Sequence, residues 1–162
     1  MSETYFIGCT HFGRSNIIRL GSRPFKDVNH MNESLVSNWN RVVQPDDRVF
    51  HLGDFGWHGS VNFRLRLNGQ ITYLRGNHDP EGWGPDMIDT RIYGRRVVMC
   101  HYPIEEWNGY YKGAIYIHAH THKPTLVTAE RRANVCVEAI DYTPISFTQL
   151  LHFLARAGGG PV

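Results

Sequence analysis

The sequence is divided by short apolar runs that are rich in Val, Ile, Tyr and Phe. Runs of this length and composition are typical of buried strands, since a buried helix needs a longer apolar segment. We predict strands at residues 4–8, 48–52, 70–74, 96–99, 114–117 and 134–137. Helical spacing occurs between several of these runs, so the sequence predicts an α/β fold with the sheet at its centre.

Two other segments have the spacing of amphipathic helices. The first has one apolar face, formed by Val28, Met31, Leu35, Trp39 and Val42. Asp27 directly precedes this face and is a suitable N-cap. In the second segment, Ser146 is followed three residues later by Gln149, which is the pattern of a capping box. We expect this second helix to end near Ala155.

The segment SVNFRLRLNG, residues 60–69, carries two opposing signals. Its apolar residues alternate with polar ones, which is the period of a half-buried strand. Ser60 at its start favours a helix instead, and so does the need for a crossover connection between parallel strands. We therefore predict a helix in this segment.

The length and charge of the chain limit its organisation. With 162 residues, of which 41% are hydrophobic, the chain can fill one core but hardly two. We predict a single domain over residues 1–156, followed by a flexible, glycine-rich tail at 157–162. The net charge of +2 is too weak to indicate docking onto long nucleic acid, which needs a concentrated basic face.

The cysteines indicate the compartment. Cys9, Cys100 and Cys136 are widely spaced and odd in number, which argues against a disulfide framework and favours a reducing environment. The chain starts without a basic region followed by an apolar run, and no segment is long enough to span a membrane. We expect a cytoplasmic protein that does not contact membranes.

Metal-capable side chains follow five of the predicted strands. They are Cys9-Thr10-His11, Gly53-Asp54, Gly76-Asn77-His78-Asp79, His101, and His118-Ala119-His120-Thr121-His122. Each group alone has an ordinary explanation. A lone histidine near a strand is usually a packed or surface residue, and Gly-Asn-His-Asp also suits a turn.

Taken together, these motifs resemble the calcineurin-like metallophosphoesterase superfamily, and in particular its small, cap-less bacterial and phage members. The family pattern is Asp-x-His, Gly-Asp, Gly-Asn-His-Asp/Glu, a lone His and Gly-His-x-His, and here it runs from Cys9 to His122. The resemblance implies a four-layer α/β/β/α sandwich of two mixed sheets flanked by helices. Two positions depart from the pattern, because Ala119 replaces Gly and Cys9 replaces the first Asp.

The resemblance also implies two divalent metal ions, with manganese, zinc, iron and nickel as the candidates. The ligands of the first metal position would be Cys9, His11, Asp54 and His122. The ligands of the second metal position would be Asp54, Asn77, His101 and His120. In this arrangement Asp54 bridges both ions, and a hydroxide between them attacks the phosphate ester.

Catalytic and substrate-binding roles follow from the same resemblance. His78 would be the general acid that protonates or stabilises the leaving oxygen, and it would contact the substrate together with Asn77. Asp79 would orient the His78 imidazole, although a turn cap is an equally good interpretation. Arg14 follows His11 closely and is placed to contact a phosphate; the alternative is an ordinary solvated arginine.

The implied activity is metal-dependent hydrolysis of phosphate esters. Phosphodiesters are favoured, because a poor alkoxide leaving group benefits from an acid. The expected substrate is a small phosphate ester, which includes nucleotides and short nucleic acid strands, and the oligomeric state is left open. The alternatives are a phosphomonoesterase and a non-catalytic, metal-binding interaction module.

Cys9 has three interpretations. As a metal-bound thiolate it would carry the same charge as Asp and would favour zinc or iron over magnesium or manganese. As a small buried residue it would weaken the first metal position. In a non-catalytic protein, the site would survive only as a scaffold. We favour the metal ligand, because every other ligand position carries the expected residue type.

Overall fold

The computed structural model describes residues 2–57 and 59–158. Nine strands occur in these residues: β1 (Thr4–Ile7), β2 (Arg48–His51), β3 (Gln70–Tyr73), β4 (Met87–Ile92), β5 (Arg95–Cys100), β6 (Ile115–His118), β7 (Val127–Ala129), β8 (Arg132–Asn134) and β9 (Ile145–Ser146). The α-helices in the same residues are α1 (Asn16–Leu20), α2 (Val28–Val42) and α3 (Phe147–Gly158). None of these helices is both long enough and apolar enough to cross a membrane.

The strands form two mixed sheets. The first sheet has the order β3-β2-β1-β9, in which β1, β2 and β3 are parallel and β9 is antiparallel to β1. The second sheet has the order β4-β5-β6-β8-β7, with β5, β6 and β8 parallel and the two edge strands antiparallel to their neighbours. Both sheets therefore combine parallel strands with antiparallel ones, at one edge of the first sheet and at both edges of the second.

Three apolar clusters fix the order of the layers. The central cluster joins side chains of both sheets, such as Phe6 and Ile117, with Phe147 of helix α3. A second cluster packs Trp39 of helix α2 against the opposite face of the first sheet. A third covers the outer face of the second sheet with Trp107. The predicted fold, two packed mixed sheets flanked by helices, is confirmed.

The predicted helix starts are confirmed in atomic detail. The Asp27 carboxylate accepts the backbone N–H of His30 at 2.8 Å. At the second helix, the Ser146 hydroxyl accepts the N–H of Gln149 and the Gln149 side chain accepts the N–H of Ser146, both at 3.1 Å. Helix α3 continues through residues 157 and 158, which we had assigned to a flexible tail. The rest of that predicted tail, residues 159–162, lies outside the described residues.

The structure differs from the prediction in four segments. Ser60–Arg66 is helical, but as a 3₁₀-helix, and the exposure of Val61 and Leu65 shows that the alternating pattern marks no buried face. The apolar run at 134–137 is divided, because β8 ends at Asn134 and a 3₁₀ turn begins at Val137. Strands β4 and β7 lie at sheet edges and carry polar residues, so they lack the apolar run that marks a buried strand.

Candidate metal centre

The five predicted motifs lie beyond the carboxyl ends of β1, β2, β3, β5 and β6. These strands are parallel within each sheet, so their ends reach the same edge of the molecule. The two sheets are joined at that edge, where His101 contacts the Leu52 carbonyl through Nδ1 at 2.7 Å. The fold therefore brings motifs that are separated along the chain into one cluster.

The backbone of this cluster is strained at the proposed ligands. Five of them have a positive φ angle: Cys9 (56°), His11 (51°), Asp54 (57°), His120 (68°) and His122 (51°). A left-handed conformation is unfavourable for residues with a side chain, and strain of this kind persists at functional sites where the surrounding structure holds it. Here the Cys9 N–H donates to the Gly53 carbonyl at 2.9 Å, and the His11 N–H donates to the Asp54 carbonyl at 3.0 Å.

Asp54 lies at the centre of the cluster. Its Oδ2 atom is 3.5 Å from Nε2 of His11 and 3.5 Å from Nε2 of His101. Its Oδ1 atom accepts the backbone N–H of His78 at 2.9 Å. Gly76 lies so close that any side chain there would collide with the Asp54 carboxylate. One carboxylate oxygen is therefore placed between a histidine of the first sheet and a histidine of the second.

The hydrogen-bonding roles at the second metal position favour a cation. The Leu52 carbonyl can only accept, so Nδ1 of His101 carries the proton, and Nε2 is an acceptor in the neutral ring. That Nε2 faces Asn77 Oδ1 at 3.1 Å, His120 Nδ1 at 3.2 Å and Asp54 Oδ2 at 3.5 Å. Oxygen and nitrogen atoms that converge in this way need a proton on one of the rings or a cation between them, and one divalent cation can bind all of them. The donor set at this position therefore fits a metal ion.

The first metal position also presents convergent donor atoms. One donor atom each of Cys9, His11 and His122 lies within 4.8 Å of the other two. The Nε2 atom of His11 is buried and has no hydrogen-bond partner among the described residues. On the His122 ring, Nδ1 lies 3.0 Å from Glu138 Oε1. A proton on Nδ1 that points to this carboxylate leaves the lone pair of Nε2 available to bind a metal. This arrangement is typical of metal-binding histidines, and it fits a second cation.

The Cys9 sulfur is fully buried and accepts two hydrogen bonds. The His120 N–H donates to it at 3.3 Å, and the Cys136 thiol donates to it at 3.2 Å. Burial raises the pKa of Cys9 well above its usual range. Without a cation, Cys9 is therefore a neutral thiol, and a metal that binds it must displace its proton.

The charge states of two other ligands suit a cation. Burial alone would raise the pKa of Asp54, but the hydrogen bond and charge of His101 and the His78 amide hold it below its usual range. Burial lowers the pKa of His11 to about 2. At neutral pH Asp54 is therefore ionised and His11 is neutral, which are the forms that bind metals.

Asp79 does not take the orienting role that the sequence analysis allowed. Its Oδ2 atom accepts the backbone N–H groups of Asp54 at 2.6 Å and Gly76 at 2.7 Å, and its Oδ1 atom accepts that of Phe55 at 3.0 Å. Both carboxylate oxygens are thus engaged by amides, and the carboxylate holds the Asp54 loop against the Gly76 turn. The turn-cap alternative describes this residue better than a contact to the His78 imidazole.

Two of the three residues predicted to contact substrate, His78 and Arg14, lie at the rim of the cluster. His78 is exposed, and its ring centroid is 5.6 Å from that of His11. Arg14 donates from Nε to Asn16 at 3.0 Å, and its guanidinium lies 5.2 Å above the Trp57 ring. Their predicted contacts with a phosphate remain predictions.

Sequence reasoning missed two residues behind the cluster, Arg23 and Glu138. The Arg23 guanidinium is buried and donates to the carbonyls of Cys9 at 2.7 Å and Thr10 at 3.0 Å. Its Nε donates to Glu138 at 2.9 Å, and Glu138 in turn holds His122. No local pattern marks Glu138, because its partner Arg23 is 115 residues away along the chain.

Comparison with known proteins gives the family of the chain. No family model matches the sequence. A protein from Methanocaldococcus jannaschii, described as uncharacterized, is 34% identical over 167 residues, which cover 96% of this chain and 93% of that protein. The chain belongs to the same family as this archaeal protein.

Two solved structures share the fold of this chain. A protein of unknown function from Aquifex aeolicus is 26% identical, with a TM-score of 0.74 over 94% of this chain and 100% of that one. A structure described as a novel archaeal phosphodiesterase is 15% identical, with a TM-score of 0.51 over 83% of this chain and 82% of that one. The fold is that of the calcineurin-like phosphoesterases.

Proposed function

We propose that the protein is a divalent-metal-dependent hydrolase of phosphate esters, and that phosphodiesters are its main substrates. The observation that carries this proposal is the position of the Asp54 carboxylate, whose Oδ2 atom is 3.5 Å from both His11 and His101. A carboxylate shared between two histidine-containing donor sets is the arrangement that two adjacent cations need. The archaeal phosphodiesterase of the same fold supports the reaction class by analogy.

Two sets of residues would hold the metal ions. The first set is Cys9, His11, Asp54 and His122, and the second is Asp54, Asn77, His101 and His120. When bound, the cations would neutralise charge on the phosphoryl oxygens and lower the pKa of water, which supplies a nucleophile near neutral pH. Among manganese, zinc, iron and nickel, a Cys9 thiolate favours zinc or iron, because sulfur is a soft ligand.

The residues at the rim would act on the substrate. His78 protonates the leaving oxygen. Its backbone N–H donates to Asp54 Oδ1 at 2.9 Å, which holds the residue next to the central carboxylate. This acid matters most for alkoxide leaving groups, so it favours alkyl phosphodiesters over esters with activated leaving groups such as nitrophenolate. Arg14, whose guanidinium lies over the same Trp57 ring that packs against His78, contributes a positive charge and contacts the phosphate. Small phosphate esters, nucleotides and short nucleic acid strands are the proposed substrates.

The second candidate is a non-catalytic, metal-binding interaction module. The observation that favours it is the Cys9 thiol, which is paired with Cys136 at 3.2 Å and holds its proton tightly. If that pair is more stable than a metal bond, the first metal position stays weak. The remaining donors would then bind a metal without the pair of cations that catalysis needs. A phosphomonoesterase is the other enzymatic alternative.

The experiment is hydrolysis of bis-p-nitrophenyl phosphate by metal-stripped protein, before and after each metal is added. We expect turnover only with metal, and we expect Asp54→Asn to lose both turnover and bound metal, measured by elemental analysis. The matched control is Asp46→Asn, which changes an exposed carboxylate. Normal turnover by Asp54→Asn would overturn the proposal, and so would metal-independent turnover by the native chain.

A second variant tests the proposed acid. We expect His78→Ala to slow hydrolysis of an alkyl diester by about 10²–10⁴-fold, because the alkoxide needs a proton. Hydrolysis of bis-p-nitrophenyl phosphate should fall far less, since nitrophenolate leaves without protonation. Equal losses on both esters would assign His78 to substrate binding instead of acid catalysis.

A further inference from the structure

A pocket opens directly beside His78. Its volume is about 380 Å³, and His78 forms part of its wall. The other walls are mainly apolar and come from Trp57, Val61, Pro80 and Trp83. We call it the Trp57 pocket, because Trp57 is 44% exposed and forms part of its wall next to His78, with the two ring centroids 6.3 Å apart.

The position of the pocket next to His78 indicates which part of the substrate it would bind. If His78 gives its proton to the leaving oxygen, the organic group on that oxygen must lie on the His78 side of the phosphate. The Trp57 pocket is on that side and shares His78 as a wall. The group that the pocket receives is therefore the one that departs, while the group that stays on phosphorus lies elsewhere. This inference rests on the proposed function.

The walls define the chemistry of that group. A volume of about 380 Å³ falls in the range of small-molecule sites and far exceeds what a methyl ester needs. Indole faces favour stacking with flat aromatic rings. The carboxylate in the wall, Asp79, has both oxygens engaged by backbone amides, so few of its lone pairs are left to bond a ligand. The pocket therefore suits a flat aromatic ring that is held mainly by stacking.

We propose that the Trp57 pocket binds the leaving alcohol of the substrate and that this alcohol is a nucleoside, with its base stacked on Trp57. The guanidinium of Arg14 lies 5.2 Å above the same indole, so the base site adjoins a positive charge that suits the phosphate. A nucleoside joined to a phosphate matches this order of groups: base on Trp57, leaving oxygen at His78, phosphate towards Arg14 and the metal centre.

Tyr102 offers a matched comparison on the other flank of the centre. Its ring is also 44% exposed, and it packs edge-on against His101 and His120 at centroid distances of 5.0 and 4.9 Å. Tyr102 therefore lies beside ligands of the second metal position and away from the proposed acid. A base bound on Tyr102 would belong to the group that stays on phosphorus.

The first arm of the test measures binding without catalysis. Adenosine, which has a base and no phosphate, is titrated into the native chain and followed by calorimetry. We expect Trp57→Ala to weaken binding about five- to 150-fold, the range for loss of one base–aromatic stack. Trp57→Phe should retain most of the affinity, and Tyr102→Ala should retain all of it. Equal affinity of Trp57→Ala and the native chain would overturn the proposal.

The second arm measures the leaving group itself. Thymidine 5′-phosphate methyl ester can break at either of two ester bonds, to give thymidine and methyl phosphate or methanol and thymidine 5′-phosphate. We expect thymidine and methyl phosphate, and Trp57→Ala to reduce this preference while Tyr102→Ala preserves it. Release of methanol and thymidine 5′-phosphate by the native chain would refute the leaving-group assignment.

Failure of this inference differs from failure of the proposed function. Turnover of bis-p-nitrophenyl phosphate with no preference for release of thymidine keeps the hydrolase and overturns the nucleoside pocket. Absence of turnover on both esters overturns the hydrolase. In that case Trp57-dependent binding of adenosine would support the nucleoside site and overturn only its role in the reaction.

Discussion

Arg23→Met removes the buried guanidinium that anchors the Cys9 loop. The variant loses two charged hydrogen bonds to the carbonyls of Cys9 and Thr10 and leaves the Glu138 carboxylate buried without its cation. Breaking a buried ion pair by removing one partner costs about 3–5 kcal/mol. Met retains most of the apolar volume, so the loss reflects the charge and the hydrogen bonds rather than a large cavity.

Urea and thermal unfolding of metal-stripped protein measure this effect. A loss of about 3–5 kcal/mol corresponds to a fall in Tm of roughly 6–20 °C for a chain of this size. The matched control is Arg66→Met, whose exposed pair with Glu33 should leave the midpoint nearly unchanged.

A double-mutant cycle separates the pair from the rest of the site. Glu138→Gln removes the buried negative charge, so the double variant Arg23→Met/Glu138→Gln should be more stable than the sum of the single losses predicts. An unchanged midpoint for Arg23→Met, or strictly additive losses, would refute the reasoning that this buried pair supports the Cys9 loop.

Two further predictions concern the support of the metal centre. Asp79→Ala should lower the free energy of unfolding by at least about 1.5–3 kcal/mol, because three backbone N–H groups lose a charged acceptor. Urea unfolding measures this change, and a variant as stable as the native chain would contradict the prediction. Burial lowers the pKa of His51 to about 3, so below pH 6.5 the unfolded chain takes up a proton that the folded chain refuses. Metal-stripped protein should therefore lose about 1.4 kcal/mol of stability per pH unit from this group between pH 6.5 and about 3. His51→Gln should flatten that part of the stability profile, and an unchanged slope would show that other groups govern it.

The parts of the fold that sequence could predict depend on short-range interactions. The N-caps at Asp27 and Ser146 bond to amides three residues away, so their partners are visible in the local pattern. The buried parallel strands can also be seen in the local sequence, because both of their faces are covered and they therefore carry short apolar runs. The strand-end motifs could be placed in one cluster because parallel strands end at the same edge.

The parts that sequence could not predict depend on distant partners. Cys136 contacts Cys9 across 127 residues, and no spacing rule connects the two thiols. The sequence neighbours of Asp79 predict only a polar residue in a turn. The fold is needed to show that its carboxylate accepts the backbone N–H of Asp54. Edge strand β4 alternates exposed and partly or fully buried residues over its six positions, so the continuous burial that marks the central strands is missing.

The claim that this cluster is a dinuclear metal centre with Cys9 as a ligand is tested most directly by changing that ligand. Metal-stripped native chain and Cys9→Asp are reconstituted separately with manganese, zinc, iron and nickel, and hydrolysis of bis-p-nitrophenyl phosphate is measured for each. We predict that the native chain is active and prefers zinc or iron, and that Cys9→Asp shifts the preference towards manganese. A native chain that is inert with every metal, together with restored turnover in Cys9→Asp, would contradict the account and show that Cys9 disables the site.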